Sequence, residues 1–277
     1  MRKKTMYDIL IQAVCIFFAL LILFPILYAA SVSFMEQKDV LSSPPNLLPP
    51  KVTLENYKTA FSRTMLLRYM LNSFIVASVC SVARMVTATM AAFAFSFFEF
   101  KGKKLLFTLT MATIMIPPDV LIVSNFTTIS RMGLINTYAG MCSIFLVSAT
   151  NVFLLRQFYL SFVKSLKEAA YVDGAGYFTT MVRIILPMAK PSIITVILFE
   201  FLAYWNEYII SMTMLTDPNG ARTLPVGLLN LMKAQNAKAE YGQMYAGMVM
   251  VMVPTLILYM CVQKKLTQGM TIGGIKG

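Results

Sequence analysis

Glu200, Tyr204, Trp205, Asn206 and Glu207 crowd one apolar stretch of this chain, a setting in which polar side chains need partners. A charge at a bilayer centre costs at least about 2.5 kcal/mol even on the lenient insertion scale, so such groups must face protein, water or a solute. Read as one helix, Glu200, Tyr204 and Glu207 stand at i, i+4 and i+7 and share a face, with Trp205 and Asn206 beside it. Two chemistries fit. Aromatic faces can stack on sugar rings while carboxylate and amide groups bond hydroxyls, which makes this face a solute path. Alternatively, Glu200 or Glu207 pairs with a base such as Arg84 and ties helices together.

A second constellation is polar and patterned. Glu168-Ala169-Ala170-Tyr171-Val172-Asp173-Gly174 is followed, nine residues after the glycine, by Ile184-Ile185-Leu186-Pro187. Leu166 to Tyr171 favour helix, Gly174-Ala175-Gly176 supplies a break, Tyr177 to Leu186 can resume a helix, and Pro187 is expected to end it. The chemistry on offer is docking. Ala169 and Ala170 let a helix sit deep in a groove, Gly174 permits a sharp reversal, and Glu168 and Asp173 can pair with basic groups across an interface. The plainer reading is a surface helix whose acids balance Lys164, Lys167 and Arg183.

Several chemistries are excluded. The chain has no histidine, which removes His acid–base catalysis and His metal ligation. No Gly-x-x-x-x-Gly-Lys-[Ser/Thr] phosphate loop occurs, and the lone Gly102-Lys103 lacks the upstream glycine. Cys15, Cys80, Cys142 and Cys261 lie in apolar stretches without a Cys-x-x-Cys pair and read as small apolar fillers. No nucleophile motif appears. The chain is therefore not expected to be an enzyme, to bind a cofactor or to hold a metal.

The elements that must position these groups follow from composition. With 58% hydrophobic and 13% charged residues over 277 positions and a mean hydropathy of +0.69, the chain belongs in a bilayer. Six segments reach the roughly 20 apolar residues a spanning helix needs. They lie near Ile9 to Ser31, Asn72 to Phe98, Leu105 to Thr127, Tyr138 to Phe158, Ser192 to Leu215 and Met244 to Val262. Continuous apolar runs without alternation exclude a β-barrel, so the fold class is an all-α membrane bundle. The first segment is too long for a signal-peptide core of about 7–15 residues and reads as an uncleaved anchor. With the amino terminus inside, the Lys and Arg set that includes Arg2, Lys3, Lys4, Lys101, Lys103, Lys104, Lys164, Lys167, Lys264 and Lys265 outnumbers the opposite side. That bias predicts that both termini and the Glu168 loop are cytoplasmic. The net charge of +12 thus reflects topology, and no nucleic acid is expected.

The chain resembles the permeases of ABC importers. The run from Glu168 to Pro187 matches their EAA loop at Glu168, Ala169, Ala170, Gly174, Ile184, Leu186 and Pro187. Three further features are similar to the carbohydrate-importing branch: Leu54-Glu55-Asn56-Tyr57 after a proline-rich segment, Pro117-Pro118 at the end of the third span, and Trp205-Asn206 in the fifth. The ending Thr271-x-Gly273-x-x-Lys276-Gly277 resembles the family's tail.

The resemblance implies a type I ABC-importer transmembrane domain of six helices, like the second permease of the maltose-type family. It divides the chain into a first helix and extracytoplasmic segment (1–68), a five-helix core (69–264) with its coupling loop (163–191), and a cytoplasmic tail (265–277). It further implies a multi-pass subunit of the cell membrane, partnered by a second homologous permease, two ATP- and Mg-using ABC ATPases and an extracytoplasmic sugar-binding protein. Glu168, Ala169, Ala170, Asp173, Gly174, Ile184, Leu186 and Pro187 would couple to the ATPase. Tyr204, Trp205, Asn206 and Glu207 would line the substrate path. Thr271, Gly273, Lys276 and Gly277 would make the tail contact, and the loop from Thr216 to Gln243 would meet the binding protein. An ion-coupled transporter using Glu200, Glu207, Arg84 and Asp119, or an ABC permease for a non-sugar solute, are the alternatives.

Overall fold

The computed structural model describes residues 6–63, 65–161, 174, 176–217, 219–233 and 241–274. Its helices are α1 (Met6–Ser33), α2 (Gln37–Val40), α3 (Glu55–Arg63), α4 (Leu66–Phe97), α5 (Lys103–Ala112), α6 (Ile122–Arg131), α7 (Tyr138–Ser143), α8 (Ala149–Leu160), α9 (Leu186–Trp205), α10 (Ile209–Met214), α11 (Leu224–Lys233) and α12 (Tyr241–Gly274). No strand occurs among the described residues. The chain resolves into two compact units, one of residues 1–67 and 227–256, the other of 68–226 and 257–277.

In the first unit, α1 is apolar on every side and exposed along most of its length, as a helix solvated by lipid must be. Its end is clamped by the Leu54-Glu55-Asn56-Tyr57 element. Asn56 Nδ2 donates to the carbonyls of Ser33 at 2.9 Å and Met35 at 2.8 Å. The Tyr57 hydroxyl lies 2.7 Å from Ser33 Oγ, and its ring meets Phe34 at 5.2 Å. The bond to Ser33 satisfies a carbonyl that the last turn of α1 leaves open, and the bond to Met35 holds the chain just beyond it. The connector is thus a built cap on the first helix rather than a solvated strap. Gly242, at the start of α12, sits so close that an added Cβ would fall 2.5 Å from Asn56 Nδ2. Gly242→Leu is expected to dislodge Asn56, break both bonds and lower stability by about 2–3 kcal/mol, read as the unfolding midpoint in detergent. Between α1 and α3, Glu36 holds Lys38 at 3.0 Å and Lys51 at 3.4 Å. The hydrogen bond from Lys38 and then that from Lys51 hold its carboxyl below the usual carboxylate range. The stabilisation this gives is present above the unfolded pKa and fades as pH falls through the lowered one.

The core of the second unit joins three helices. Met85, Ala88, Ala92, Phe93 and Phe97 of α4 pack on Val152, Leu155 and Tyr159 of α8, and on Ile185 and Ala189 at the entry to α9. Ala88 and Ala92 are fully buried, so backbones approach closely there, as small residues allow. The opposite stripe of α4, Val79, Val82, Val86 and Met90, is exposed at helical spacing. Ser81 and Ser96 return their hydroxyls to the carbonyls four residues back, at 2.5 and 2.7 Å.

Among the described residues, four helical runs are individually long and apolar enough to span a membrane: Tyr7–Ser33, Leu66–Phe97, Tyr177–Trp205 and Tyr241–Met260. The third expected span is a bent pair, Lys103–Met115 and Pro118–Arg131, turned by 92°. Pro117 and Pro118 lack the N–H groups that would carry the helix through. The fourth, expected unbroken over Tyr138 to Phe158, is interrupted between α7 and α8, where the Ser148 hydroxyl accepts from Asn151 N at 3.2 Å and starts a new helix.

The fifth begins earlier and stops sooner than expected. A helical run starts at Tyr177, passes through a π segment at Thr180–Ile185 and continues as α9 to Trp205. Pro187 therefore does not end a helix. It stands in the first turn of α9, where its missing N–H is tolerated, and the wider π turn makes room for its ring against the preceding carbonyls. The helix ends instead at Asn206-Glu207, so Glu207 does not share a helical face with Glu200 and Tyr204.

Candidate functional site

Arg84 of α4 stands at the centre of a polar junction in the second unit. Its Nη1 donates to Glu200 Oε2 of α9 at 3.0 Å, and its Nε to the Phe145 carbonyl at 3.0 Å. One turn on, Thr87 Oγ1 donates to the Leu146 carbonyl at 2.5 Å. The other carboxylate oxygen of Glu200 accepts from Asn151 Nδ2 of α8 at 2.8 Å. The guanidinium also lies over two rings, 5.2 Å from that of Tyr204 and 5.8 Å from that of Phe145. With side-chain exposures of 19% and 14%, Arg84 and Glu200 form a largely desolvated pair. The carbonyls freed by the α7–α8 interruption are those that Arg84 and Thr87 bind. Non-helical backbone at membrane depth is tolerated only where protein supplies such partners.

The helix-tying role for Glu200 is thus the one its contacts realise. Asn151, Thr87 and the Phe145 carbonyl were not singled out from the sequence. The polar run Ser148-Ala149-Thr150-Asn151 inside an apolar segment was the signal that could have found them.

The four path candidates diverge. Tyr204 and Trp205 are buried, whereas Asn206 is exposed and Glu207 half-buried. Trp205 stacks on Phe201 at 6.0 Å and 18°, while its indole Nε1 is buried with no hydrogen-bond partner. Asn206 Nδ2 closes α9 by donating to the Leu202 carbonyl at 2.8 Å. Glu207 accepts from the amides of Ile210 at 2.9 Å and Ser211 at 3.0 Å, capping α10. Asp119 lies on the exposed turn beyond the proline bend.

The segment after α10 is pinned at its near end. Asn72 Nδ2 donates to the carbonyls of Arg222 at 2.7 Å and Gly220 at 3.3 Å, while its Oδ1 accepts from the Tyr138 hydroxyl at 2.5 Å. Ser73 Oγ accepts from Leu224 N at 2.8 Å, and buried Arg222 donates to the Thr216 carbonyl. Asn136, at φ +64°, accepts from Asp217 N at 2.9 Å.

On the docking side, Glu168, Ala169, Ala170 and Asp173 lie outside the described residues, as do Lys276 and Gly277. Gly174 has φ +65°, a left-handed backbone that glycine adopts freely, and an added Cβ would meet nothing within 4 Å. Ile184 and Leu186 are half-buried and Pro187 exposed. Thr271 and Gly273 fall within the last turns of α12. No group of three or more His, Cys, Asp or Glu that could hold a metal occurs among the described residues.

Residues 84–272 match the family described as binding-protein-dependent transport system inner membrane component. Along the whole of both chains, the sequence is 32% identical to the trehalose/maltose transport system permease protein MalG of Thermococcus litoralis. It is 30% identical to the diacetylchitobiose uptake system permease protein NgcG of Streptomyces coelicolor, covering 95% of this chain and 87% of that one. The sn-glycerol-3-phosphate transport system permease protein UgpE of Salmonella typhi is 29% identical, with 90% of each chain covered. The fold is similar to a chain of a bacterial ABC transporter that imports the acidic polysaccharide alginate. That match has a TM-score of 0.83 at 23% identity and covers 95% of this chain and 99% of the other.

Proposed function

Because this chain belongs to the binding-protein-dependent transport system inner membrane component family, we propose that it works as one of two homologous permeases of an ATP-driven carbohydrate importer. The observation that carries the reading is end-to-end similarity to permeases named for trehalose, maltose and diacetylchitobiose. In this reading an extracytoplasmic binding protein delivers the solute to a cavity between the two permeases. Two ABC ATPases, which bind ATP and Mg, sit on the cytoplasmic side, where both termini of this chain lie. Glu168, Ala169, Ala170, Asp173 and Gly174 form the docked coupling helix. Ile184, Leu186 and Pro187 begin the rigid run that carries its movement to Trp205, and the tail at Thr271, Gly273, Lys276 and Gly277 reaches the ATPases.

Tyr204, Trp205, Asn206 and Glu207 occupy the far end of that run and are assigned to the solute path. The unpartnered Nε1 of Trp205 supports a role there, since a buried N–H without an acceptor costs about 1–3 kcal/mol and a solute hydroxyl would relieve it. Trp205→Phe, which keeps an aromatic ring and removes the unpartnered N–H, is expected not to lower the unfolding midpoint and to raise the KM for uptake about tenfold. An unchanged KM would remove Trp205 from the path.

A phosphorylated polyol is a second reading, favoured by the similarity to glycerol-3-phosphate permeases. The assembly is tested by purifying tagged full-length chain from its native membranes in mild detergent and identifying each co-purifying subunit. A second permease and an ATPase are expected, and recovery of the chain alone, still transporting, would overturn the reading. Uptake of labelled disaccharide against labelled glycerol phosphate, with and without the chain, separates the two solute classes.

A further inference from the structure

A cleft beside the α4–α5 turn is used by no step of the transport reading. It lies between the end of α4, the start of α5 and Arg156 of α8, and encloses about 830 Å3. Phe95, Phe100 and Phe107 give it apolar walls, and Lys103, Lys104 and Arg156 bring three cations. Glu99 is the one carboxylate in that lining, and it is engaged by Lys103 Nζ at 3.0 Å, which also donates to the Phe98 carbonyl at 2.7 Å. Lys104 and Arg156 therefore face the cleft without a lining carboxylate to neutralise them. The guanidinium of Arg156 is pressed on the Phe107 ring, 4.1 Å from its centroid, and its Nε is buried with no hydrogen-bond partner. Such an N–H calls for an acceptor. The first turn of α5 starts at Gly102 without a side-chain cap, so its partial positive charge adds to the same field.

The level of the cleft along the helices decides what kind of anion suits it. The apolar run of α4 ends at Phe97 and the next apolar run begins at Lys103, so the cleft lies where hydrocarbon gives way to headgroups. Leu105, Leu106 and Leu109 of α5 are exposed next to it. We infer that this cleft binds the phosphodiester headgroup of an anionic phospholipid, with Lys104 and Arg156 on the phosphate and the acyl chains along the phenylalanine and leucine side chains. A soluble phosphate would meet the cations but leave the apolar wall uncovered, and a zwitterionic lipid would bring its own cation into a positive field. The inference holds for either leaflet and does not depend on the solute carried.

The test uses the purified full-length chain with whatever subunits accompany it, in nanodiscs of phosphatidylcholine doped with phosphatidylglycerol, and counts retained lipid by native mass spectrometry. Wild type is expected to retain phosphatidylglycerol selectively. At about fivefold per basic residue, Lys104→Gln should weaken retention about fivefold and Lys104→Gln with Arg156→Gln about 25-fold. Lys104 is exposed, so its single variant reads binding without disturbing the fold. Equal retention of both lipids by wild type would overturn the assignment, as would unchanged retention in the double variant. Displacement of the lipid by inorganic phosphate would make this a soluble-anion site. Loss of a co-purifying subunit with lipid retention unchanged would make it a protein-docking face.

Discussion

Arg84→Met is expected to destabilise the protein by about 3–5 kcal/mol, because it leaves the Glu200 carboxylate largely buried without its cation. It also strips the Phe145 carbonyl of its donor. Glu200→Met should cost a similar amount by stranding the guanidinium, whereas Glu200→Gln, which keeps the shape and one of the two acceptor oxygens, should cost less. The informative variant is the double one. Replacing both charges by methionine removes the unpaired-charge penalty, and packed apolar substitutes for buried pairs are often neutral or better. Its unfolding midpoint should recover most of the loss, apart from the open Phe145 carbonyl and the Asn151 amide left without its acceptor. If uptake recovers with stability, the pair is structural. If stability returns and uptake does not, the pair has to break or re-form during the transport cycle. Equal stability of Arg84→Met and wild type would show that the pair is well solvated and contradict the geometry.

Glu168→Lys is expected to abolish coupled uptake while leaving the fold intact. In the proposed docking mode the carboxylate meets a basic groove, and truncating one member of a desolvated charge pair at an interface costs about 2–5 kcal/mol. Reversing the sign adds repulsion, so ATPase co-purification should fall at least about 30-fold. Glu168→Gln should show an intermediate loss. The discriminating measurement compares the ratio of ATPase to permease with the thermal midpoint of the permease. A lost ATPase with an unchanged midpoint supports docking. An unchanged ratio with normal uptake returns Glu168 to the role of a surface acid balancing Lys164 and Lys167.

What the sequence made legible was what depends on local pattern. The apolar runs around Tyr7–Ser33 and Tyr241–Met260 are long and uniform, and composition alone places them as spans. The left-handed backbone at Gly174 was legible because a glycine adopts it at no steric cost. The interruption at residues 144–148 was not. A window of average hydropathy sees polar residues but not that Arg84 and Thr87, some sixty residues earlier, stand ready to donate to the freed carbonyls. The misreading of Glu207 has the same origin. Its spacing from Glu200 fits a helix, but Asn206 and Glu207 bond neighbouring backbone instead and stop one helix to start another. By its sequence Pro187 reads as a stop, because a proline in mid-helix is costly, whereas the relief offered by a preceding π turn has no sequence signature.

The dependence of the α7–α8 interruption on α4 sets an order of birth for the chain. Emerging alone into lipid, residues 138–160 would carry open carbonyls at Phe145 and Leu146 and an unpaired Asn151 amide, each costing several kcal/mol in hydrocarbon. Insertion reporters on truncated chains should therefore find this segment poorly inserted on its own and well inserted behind α4. Asn151 remains short of its carboxylate until α9 has been synthesised, about fifty residues later. The helix that will end as one wall of the bundle first serves as the template on which its broken neighbour is admitted to the membrane.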